Sequence, residues 1–280
     1  MSRFNLPVFK ASAPASVDQL IARALHAEEI YSAVLGDAAS TEEFKAIIAN
    51  DLPLMQDANH VRGLPADLQL PVPQLIANIR SIYDPRGLTC RQIVFENARI
   101  PESLRAQFAQ HNFVGWPGQL WSMKQPQNIL PRADLSVIPA RASFTKAREL
   151  AEAYCASTET GRTNAAYVQQ FAESCLRRYD DPRTEGLLAL DGTSPVGLLD
   201  FVTAGETGFI AHVFVHPQQQ RKKVATTLLA HALDLAARSR VRNVLLFCAR
   251  LDEPAEKLYA HTGFVAVAPV ESLVLAAEPT

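Results

Sequence analysis

The stretch Val213-Phe-Val-His-Pro-Gln-Gln-Gln-Arg-Lys-Lys-Val-Ala-Thr-Thr-Leu-Leu229 decides the fold of this chain of 280 residues. It predicts a strand that ends at Pro217 and an amphipathic helix over residues 221–238. The first N–H groups of a helix have no acceptors within it, and the helix dipole adds partial positive charge there. With Arg221, Lys222 and Lys223 beside it, this helix start is suited to hold a phosphate or a pyrophosphate.

Three basic residues alone would also fit a solvated helix start, so a second segment decides between the two interpretations. It follows a strand predicted at 241–249 and reads Asp252-Glu-Pro-Ala-Glu-Lys-Leu-Tyr-Ala-His-Thr-Gly-Phe264. Together the two segments resemble the GCN5-related N-acetyltransferase (GNAT) family, over about residues 132–280. The family pattern is V-x-P-x-x-[QR]-x-x-G-x-[GA]-x-x-L-L, then N-x-x-A-x-x-L-Y-x-x-x-G-F. The residues that match are Val215, Pro217, Gln220, Ala225, Leu228, Leu229, Ala255, Leu258, Tyr259, Gly263 and Phe264.

The resemblance implies an α/β fold of the α+β type, with a mixed, largely antiparallel central sheet flanked by helices. It also implies transfer of an acetyl or other short acyl group to the amine of a small molecule or peptide, with acetyl-CoA as co-substrate. In the family, a general acid protonates the departing thiolate, and Tyr259 stands at that position. The residues that would contact the cofactor are Val213, Val215, Gln220, Arg221, Lys222, Lys223, Val224, Ala225, Thr226, Asp252 and Tyr259.

Three residues depart from the family pattern. Lys223 replaces a glycine of the phosphate loop, and Asp252 replaces an asparagine that usually contacts the cofactor. Phe209 occupies the place of a strand glutamate that serves as the base in many members, so His212 is the nearest titratable alternative. His212 and His216 share a strand face, but without nearby carboxylates they make a poor metal site, and we expect no metal.

The first half of the chain repeats the end of the second half at an offset of 151 residues. A strand predicted at 88–96, a helix after Pro101 and a strand at 118–124 parallel the elements around residues 241–275. Asn112 falls opposite Gly263, and asparagine is the best substitute for glycine in a left-handed helix cap. Phe108 falls opposite Tyr259 and has no hydroxyl. We therefore expect two domains in tandem, a degenerate GNAT-like domain at 1–130 without the CoA loop and a GNAT domain at 131–280.

Composition excludes several classes of protein. The 27 basic and 29 acidic residues nearly cancel, which argues against nucleic-acid binding, and no apolar run is long enough for a membrane span. The four cysteines have no C-x-x-C spacing, which favours reduced thiols and a cytoplasmic location. The oligomeric state stays open, with a homodimer among the options. A CoA-binding sensor without turnover is the alternative function, because of Lys223, Asp252 and Phe209.

Overall fold

The computed structural model describes residues 15–127, 129–249 and 252–276. Within these ranges, eleven strands join into one continuous sheet in the order β1-β2-β3-β4-β11-β5-β10-β9-β8-β7-β6. The strands are β1 (Asp37–Ser40), β2 (Lys45–Ile48), β3 (Asn59–Leu64), β4 (Gln92–Phe95), β5 (Phe113–Met123), β6 (Leu135–Pro139), β7 (Thr184–Asp191), β8 (Ser194–Ala204), β9 (Thr207–Val215), β10 (Asn243–Ala249) and β11 (Phe264–Leu275).

Helices flank the sheet on both faces, and none in the described ranges is long and apolar enough to cross a membrane. The first begins at a capping box, in which the Ser16 hydroxyl accepts from the Gln19 amide and the Gln19 side chain accepts from the Ser16 amide. The helices are α1 (Val17–Ala33), α2 (Val72–Tyr83), α3 (Glu102–Ala109), α4 (Phe144–Ser157), α5 (Glu159–Thr163), α6 (Ala165–Arg177), α7 (Val224–Arg238) and α8 (Glu253–Thr262).

The two halves of the chain exchange their last strands. β11, from the end of the chain, lies between β4 and β5 of the first half, and β5 lies between β11 and β10. β5 and β11 pair antiparallel over their full lengths, from Phe113 opposite Leu275 to Met123 opposite Phe264. These four strands have a local two-fold arrangement, because the β4–β11 and β5–β10 pairs are also antiparallel.

The sheet has an apolar core on each face. On one face, α7 and Tyr259 of α8 pack against β8 to β10 around Leu199, Phe201 and Ile210. On the other face, α4 and α6 cover β7 and β8, and α1 from the first half covers the centre of the sheet. The N-terminal helix therefore contributes directly to the core of the C-terminal half.

The structure confirms the fold class and the tandem arrangement. The predicted elements are present, but the strand predicted at 88–96 is only Gln92–Phe95, and the helix predicted to begin at 221 begins at Val224. The strand predicted at 118–124 begins earlier, at Phe113. The left-handed backbone proposed for the echoed pair is present, since φ is +64° at Asn112 and +100° at Gly263. At Gly263 a side chain would also collide with the Gln125 carbonyl, so glycine is required there.

Candidate functional site

The centre of the candidate site is a gap between β9 and β10. These parallel strands pair from Thr207–Asn243 to Ile210–Leu246, and beyond that point no further pairing joins them among the described residues. A β-bulge in β9 causes the separation, because Asp200 of β8 faces His212 while Phe201 faces Ile210, which leaves Ala211 as the extra residue. The free edge of β9 after the bulge includes Val213 and Val215.

The turn between β9 and α7 presents unused main-chain donors. In the described part of the chain, the N–H groups from Gln220 to Thr226 have no acceptor, and the first bonded amide of α7 is that of Thr227, which donates to the Lys223 carbonyl. The side chains of Arg221, Lys222 and Lys223 are exposed, and Arg132 contacts the turn by donating to the Lys222 carbonyl at 3.2 Å. Arg221 and Lys223 have φ of +62° and +60°. Alternation of left-handed and right-handed residues directs consecutive amides to one side, as in anion-binding nests.

Tyr259 of α8 is buried, with 8% of its surface exposed. Its ring packs against Phe264 at 5.7 Å and Trp121 at 6.4 Å between centroids. Burial, with smaller contributions from Cys248 and Asp252, raises the pKa of Tyr259, so its hydroxyl keeps its proton at neutral pH. The side chain therefore has the protonation state that a general acid needs. Its packing against Trp121 and Phe264 would by itself also account for a tyrosine at this position.

Asp252 caps α8, because its carboxylate accepts from the Ala255 amide at 3.1 Å. An asparagine would cap a helix equally well, so this substitution preserves the helix start. The cap accounts for the aspartate without any contact to a cofactor.

His212 lies on the sheet face opposite to Tyr259, and the two side chains are not brought together. The Nδ1 atom of His212 is 3.0 Å from the hydroxyl of Tyr31, and this hydroxyl donates to Oδ2 of Asp200. Tyr179 donates to the other oxygen of Asp200 at 2.7 Å. Burial and the positive charge of Arg178 lower the pKa of His212 to about 4, so its imidazole is neutral at pH 7.

Arg178 is fully buried beneath this cluster. Its guanidinium forms an ion pair with Asp57 and lies 3.9 Å from the centroid of the Tyr31 ring. Burial opposes the charge on Asp57, yet Arg178 outweighs it and the pKa of Asp57 is lowered. Nε of Arg178 has no hydrogen-bond partner among the described residues.

A cavity of about 90 Å³ lies at the junction of the two halves and is open to His212. Its walls come from both halves: Glu28 and Tyr31 of α1, Asp57, His60 of β3, and His212 and Phe247 of the C-terminal half. Glu28 and Phe247 also border an adjoining groove of about 220 Å³ along β10 and β11. Burial raises the pKa of Glu28 and lowers that of His60 to about 3.

Sequence reasoning missed most of the junction residues. Asp200, a lone carboxylate in the apolar run 198–202, was the one signal available, because a charge inside a buried strand needs partners. Tyr31, Asp57 and Arg178 belong to no motif, and only the packing of α1, of the segment before β3 and of the turn after α6 brings them to His212. The roles assigned to the cofactor-binding residues and to Tyr259 and His212 stay predictions.

Comparison with known proteins indicates which family the sequence around this site resembles. Residues 147–264 match the family model described as acetyltransferase (GNAT) family. No curated protein matches the chain.

Solved structures resemble nearly the whole chain. A conserved protein of unknown function from Staphylococcus epidermidis ATCC 12228 has a TM-score of 0.65 at 15% identity, covering 87% of this chain and 96% of that one. A GCN5-related N-acetyltransferase from Kribbella flavida has a TM-score of 0.61 at 14% identity, covering 92% and 96%. A tandem GNAT protein from the clavulanic acid biosynthesis pathway has a TM-score of 0.54 at 14% identity, covering 96% and 98%.

At these identities the solved structures show the fold, whereas the family match is one of sequence. The matched region contains both segments that carry the motif, and the tandem relative spans both halves of this chain. Residues 147–264 therefore match the GNAT acetyltransferase family by sequence, and the chain as a whole has the fold of a tandem GNAT protein.

Proposed function

We propose that this protein is an acetyl-CoA-dependent N-acetyltransferase that acts on the amine of a small molecule or peptide. The observation that carries the proposal is the gap between β9 and β10, which lies beside a turn of unpaired amides. The turn would hold the pyrophosphate through the N–H groups from Arg221 to Thr226, and the free edge of β9 would pair with the pantetheine arm. CoA fits the residues present, because none of the described residues accepts a hydrogen bond from these donors.

Lys223 is compatible with this placement. Its side chain is exposed beside the free amides, where it adds a positive charge rather than filling the turn. Its left-handed backbone takes the conformation for which glycine is usually selected. The departure from the family pattern therefore retains the shape of the turn and adds a charge-assisted contact to phosphate.

The reaction would be a direct attack of the amine on the thioester carbonyl. An acceptor ammonium loses two protons on becoming an amide. His212 would take the first through Nε2 and release it to solvent. The C–N bond forms, the C–S bond breaks, and the second proton reaches the departing thiolate through Tyr259. Holding both reactants across the gap would supply much of the acceleration by proximity.

The N-terminal half, proposed as a degenerate domain at 1–130, would form one wall of the acceptor site. The junction cavity is lined by α1 and β3 of that half on one side and by His212 and Phe247 on the other. Ligand sites commonly lie at such junctions.

Isothermal titration calorimetry with acetyl-CoA, followed by a thiol-release assay over a panel of amines, tests the proposal. We expect 1:1 binding and release of CoA thiol with at least one amine. Binding without turnover on any amine would instead support a CoA sensor, and absence of binding would reject both functions. Free CoA and dephospho-CoA serve as competitors that show whether the nucleotide end contributes to binding.

A further inference from the structure

We infer that Tyr31, supplied by helix α1 of the N-terminal half, is a positioning residue that fixes the tautomer of His212. In this tautomer Nδ1 carries the hydrogen, and the basic Nε2 atom is available to the junction cavity. The inference deepens the proposed function and rests on it for the role of His212 as the base. The contacts that carry it are Tyr31 with Asp200 and Tyr31 with His212.

Burial raises the pKa of Asp200, while hydrogen bonds from Tyr31 and Tyr179 and the charge of Arg178 oppose that rise; with Asp200 ionised, a count of protons gives the tautomer. The Tyr31 hydroxyl has one proton, which it donates to Oδ2 of Asp200, and Tyr179 donates to Oδ1 of the same carboxylate. The oxygen of Tyr31 is then an acceptor toward Nδ1 of His212, 3.0 Å away, so Nδ1 must carry the hydrogen. A neutral imidazole has only one N–H, and Nε2 therefore carries the basic lone pair.

The surroundings of His212 support a neutral ring with an open Nε2. The ring stacks on Phe171, with centroids 6.2 Å apart, and meets the Tyr31 ring edge-on at 5.4 Å. Among the described residues Nε2 has no hydrogen-bond partner, and it is not one of the buried polar atoms that lack a partner. Charged groups facing the ring are Arg178, Asp57 and Asp200.

One contact opposes this assignment. Nη1 of Arg178 lies 3.5 Å from Nδ1 of His212, and guanidinium can only donate. If this contact prevailed, Nδ1 would be the acceptor and Nε2 would carry the hydrogen. The contact between Tyr31 and Nδ1 is 3.0 Å long, 0.5 Å shorter than the 3.5 Å contact with Arg178. The Tyr31 hydroxyl already donates its proton to Asp200, so its oxygen can only accept from Nδ1.

The arrangement gives the N-terminal half a role in the chemistry. Without Tyr31, the described hydrogen-bond partner left at Nδ1 of His212 is the Arg178 guanidinium at 3.5 Å, which would draw the ring toward the tautomer with hydrogen on Nε2. A histidine in mixed tautomers would have the reactive lone pair in place for only part of the time, which lowers turnover without affecting the CoA turn.

The decisive experiment is a long-range ¹H–¹⁵N correlation spectrum of the full-length protein labelled with ¹⁵N-histidine, at pH 7, with His212 assigned by its loss in His212→Gln. We expect the Nδ1–H tautomer in the wild-type protein. The Nε2–H tautomer would overturn the inference. This measurement needs neither a substrate nor turnover, so its result is separate from the fate of the proposed function.

Two variants extend the test. Tyr31→Phe should give His212 in mixed tautomers and lower kcat/KM about tenfold at pH 7, with the Kd for acetyl-CoA unchanged. Tyr179→Phe is the matched control, because it removes the other phenol donor to Asp200 without touching His212, and it should retain the Nδ1–H tautomer. An unchanged tautomer in Tyr31→Phe, or the same change in Tyr179→Phe, would overturn the assignment to Tyr31.

Discussion

The two halves of this chain build the same strand–helix–strand unit and differ in whether its strands separate. In the N-terminal half, β3 and β4 pair up to Leu64 and Phe95, the last residues of both strands. In the C-terminal half, β9 and β10 stop pairing at Ile210 and Leu246, and each strand continues alone to Val215 or Ala249. The fold thus allows a binding gap, but the position of the bulge and the strand lengths create it.

The turns that follow β3 and β9 also differ, in the number of free main-chain N–H groups that they offer to a ligand. Helix α2 begins after Pro71 and has Pro73 in its first turn, and proline has no N–H to offer a ligand. Helix α7 begins after a turn whose amides are free and whose side chains are basic. The N-terminal half therefore has the strand–helix–strand scaffold without a turn of free amides like the one before α7, while its helix α1 packs against the C-terminal half.

The largest effect is expected from separating the halves. A fragment of residues 131–280 lacks β5, which pairs with both β10 and β11 at the centre of the sheet. Two central strands would then expose unpaired edges, so we expect no cooperative unfolding transition and aggregation. Near-ultraviolet circular dichroism and urea titration provide the measurement.

The matched fragment is residues 113–280, which restores β5. Recovery of a cooperative transition in that fragment would assign the loss to the missing strand. A fragment 131–280 that unfolds cooperatively would instead confirm an independent domain with the boundary at 130/131, which stays a prediction until then.

Tyr259→Phe makes the C-terminal half resemble the N-terminal half, where Phe108 stands at the equivalent position. We expect kcat to fall about 100-fold, because only the proton donor is lost and the ring still packs on Trp121 and Phe264. Steady-state kinetics with acetyl-CoA and the best amine, beside calorimetric Kd values, separate the two effects. An equal loss of affinity would mean that Tyr259 is a packing or binding residue.

Lys223→Glu tests the charge of the turn that only the C-terminal half possesses. We expect acetyl-CoA to bind about tenfold more weakly at low salt, with the difference shrinking as ionic strength rises. Lys124→Glu is a control with the same change in net charge at another exposed lysine. If Kd were unchanged in Lys223→Glu, the pyrophosphate would not lie at this turn.

The histidines of the two halves predict a shared dependence of stability on pH. The folded pKa is lowered to about 3 at His60 and about 4 at His212, from 6.5 in both. The unfolded chain therefore binds more protons below pH 6.5, so the stabilisation is complete above that pH and is lost as pH falls.

We expect a loss of about 1 kcal/mol per histidine between pH 6.5 and 5.5, after allowance for the part of His212 that is exposed. Urea unfolding of the wild type, His60→Gln and His212→Gln across this range measures it. Slopes that are unaffected by either substitution would show that the carboxylates alone set the pH dependence.

The sequence predicted the C-terminal half far better than the N-terminal half. The motif around Val215 and Tyr259 ties residues to particular elements, so the end of β9, helix α7 and helix α8 followed directly. Strands β1 to β3 were missed, because β1 and β2 have only four residues each and give no clear alternation. The strand exchange between β5 and β11 was also not predictable, since pairing within each half would satisfy the same apolar pattern.

For the site, local chemistry was predictable and long-range chemistry was not. The free amides of the turn follow from a helix start without a capping side chain. The cluster around His212 joins residues from α1, α6 and β8, which lie up to 181 positions away along the chain. Only packing brings them together, and a single sequence carries no signal for it.

The smallest expected effect concerns the backbone of the turn itself. Lys223 has a left-handed φ of +60°, a conformation that costs a residue with a side chain more than it costs glycine. Lys223→Gly should therefore raise the free energy of unfolding by about 0.5–1 kcal/mol, the gain being limited by the extra freedom of glycine in the unfolded chain. Lys222→Gly, at a neighbour whose φ is not positive, should lower it by a similar amount. Urea denaturation of both variants checks the contrast, and changes of the same sign in the free energy of unfolding would mean that the turn is not held in the left-handed conformation.

Lys223→Gly removes a positive charge and also relieves the backbone. Weaker acetyl-CoA binding together with greater stability would therefore indicate that this lysine is retained for its ligand.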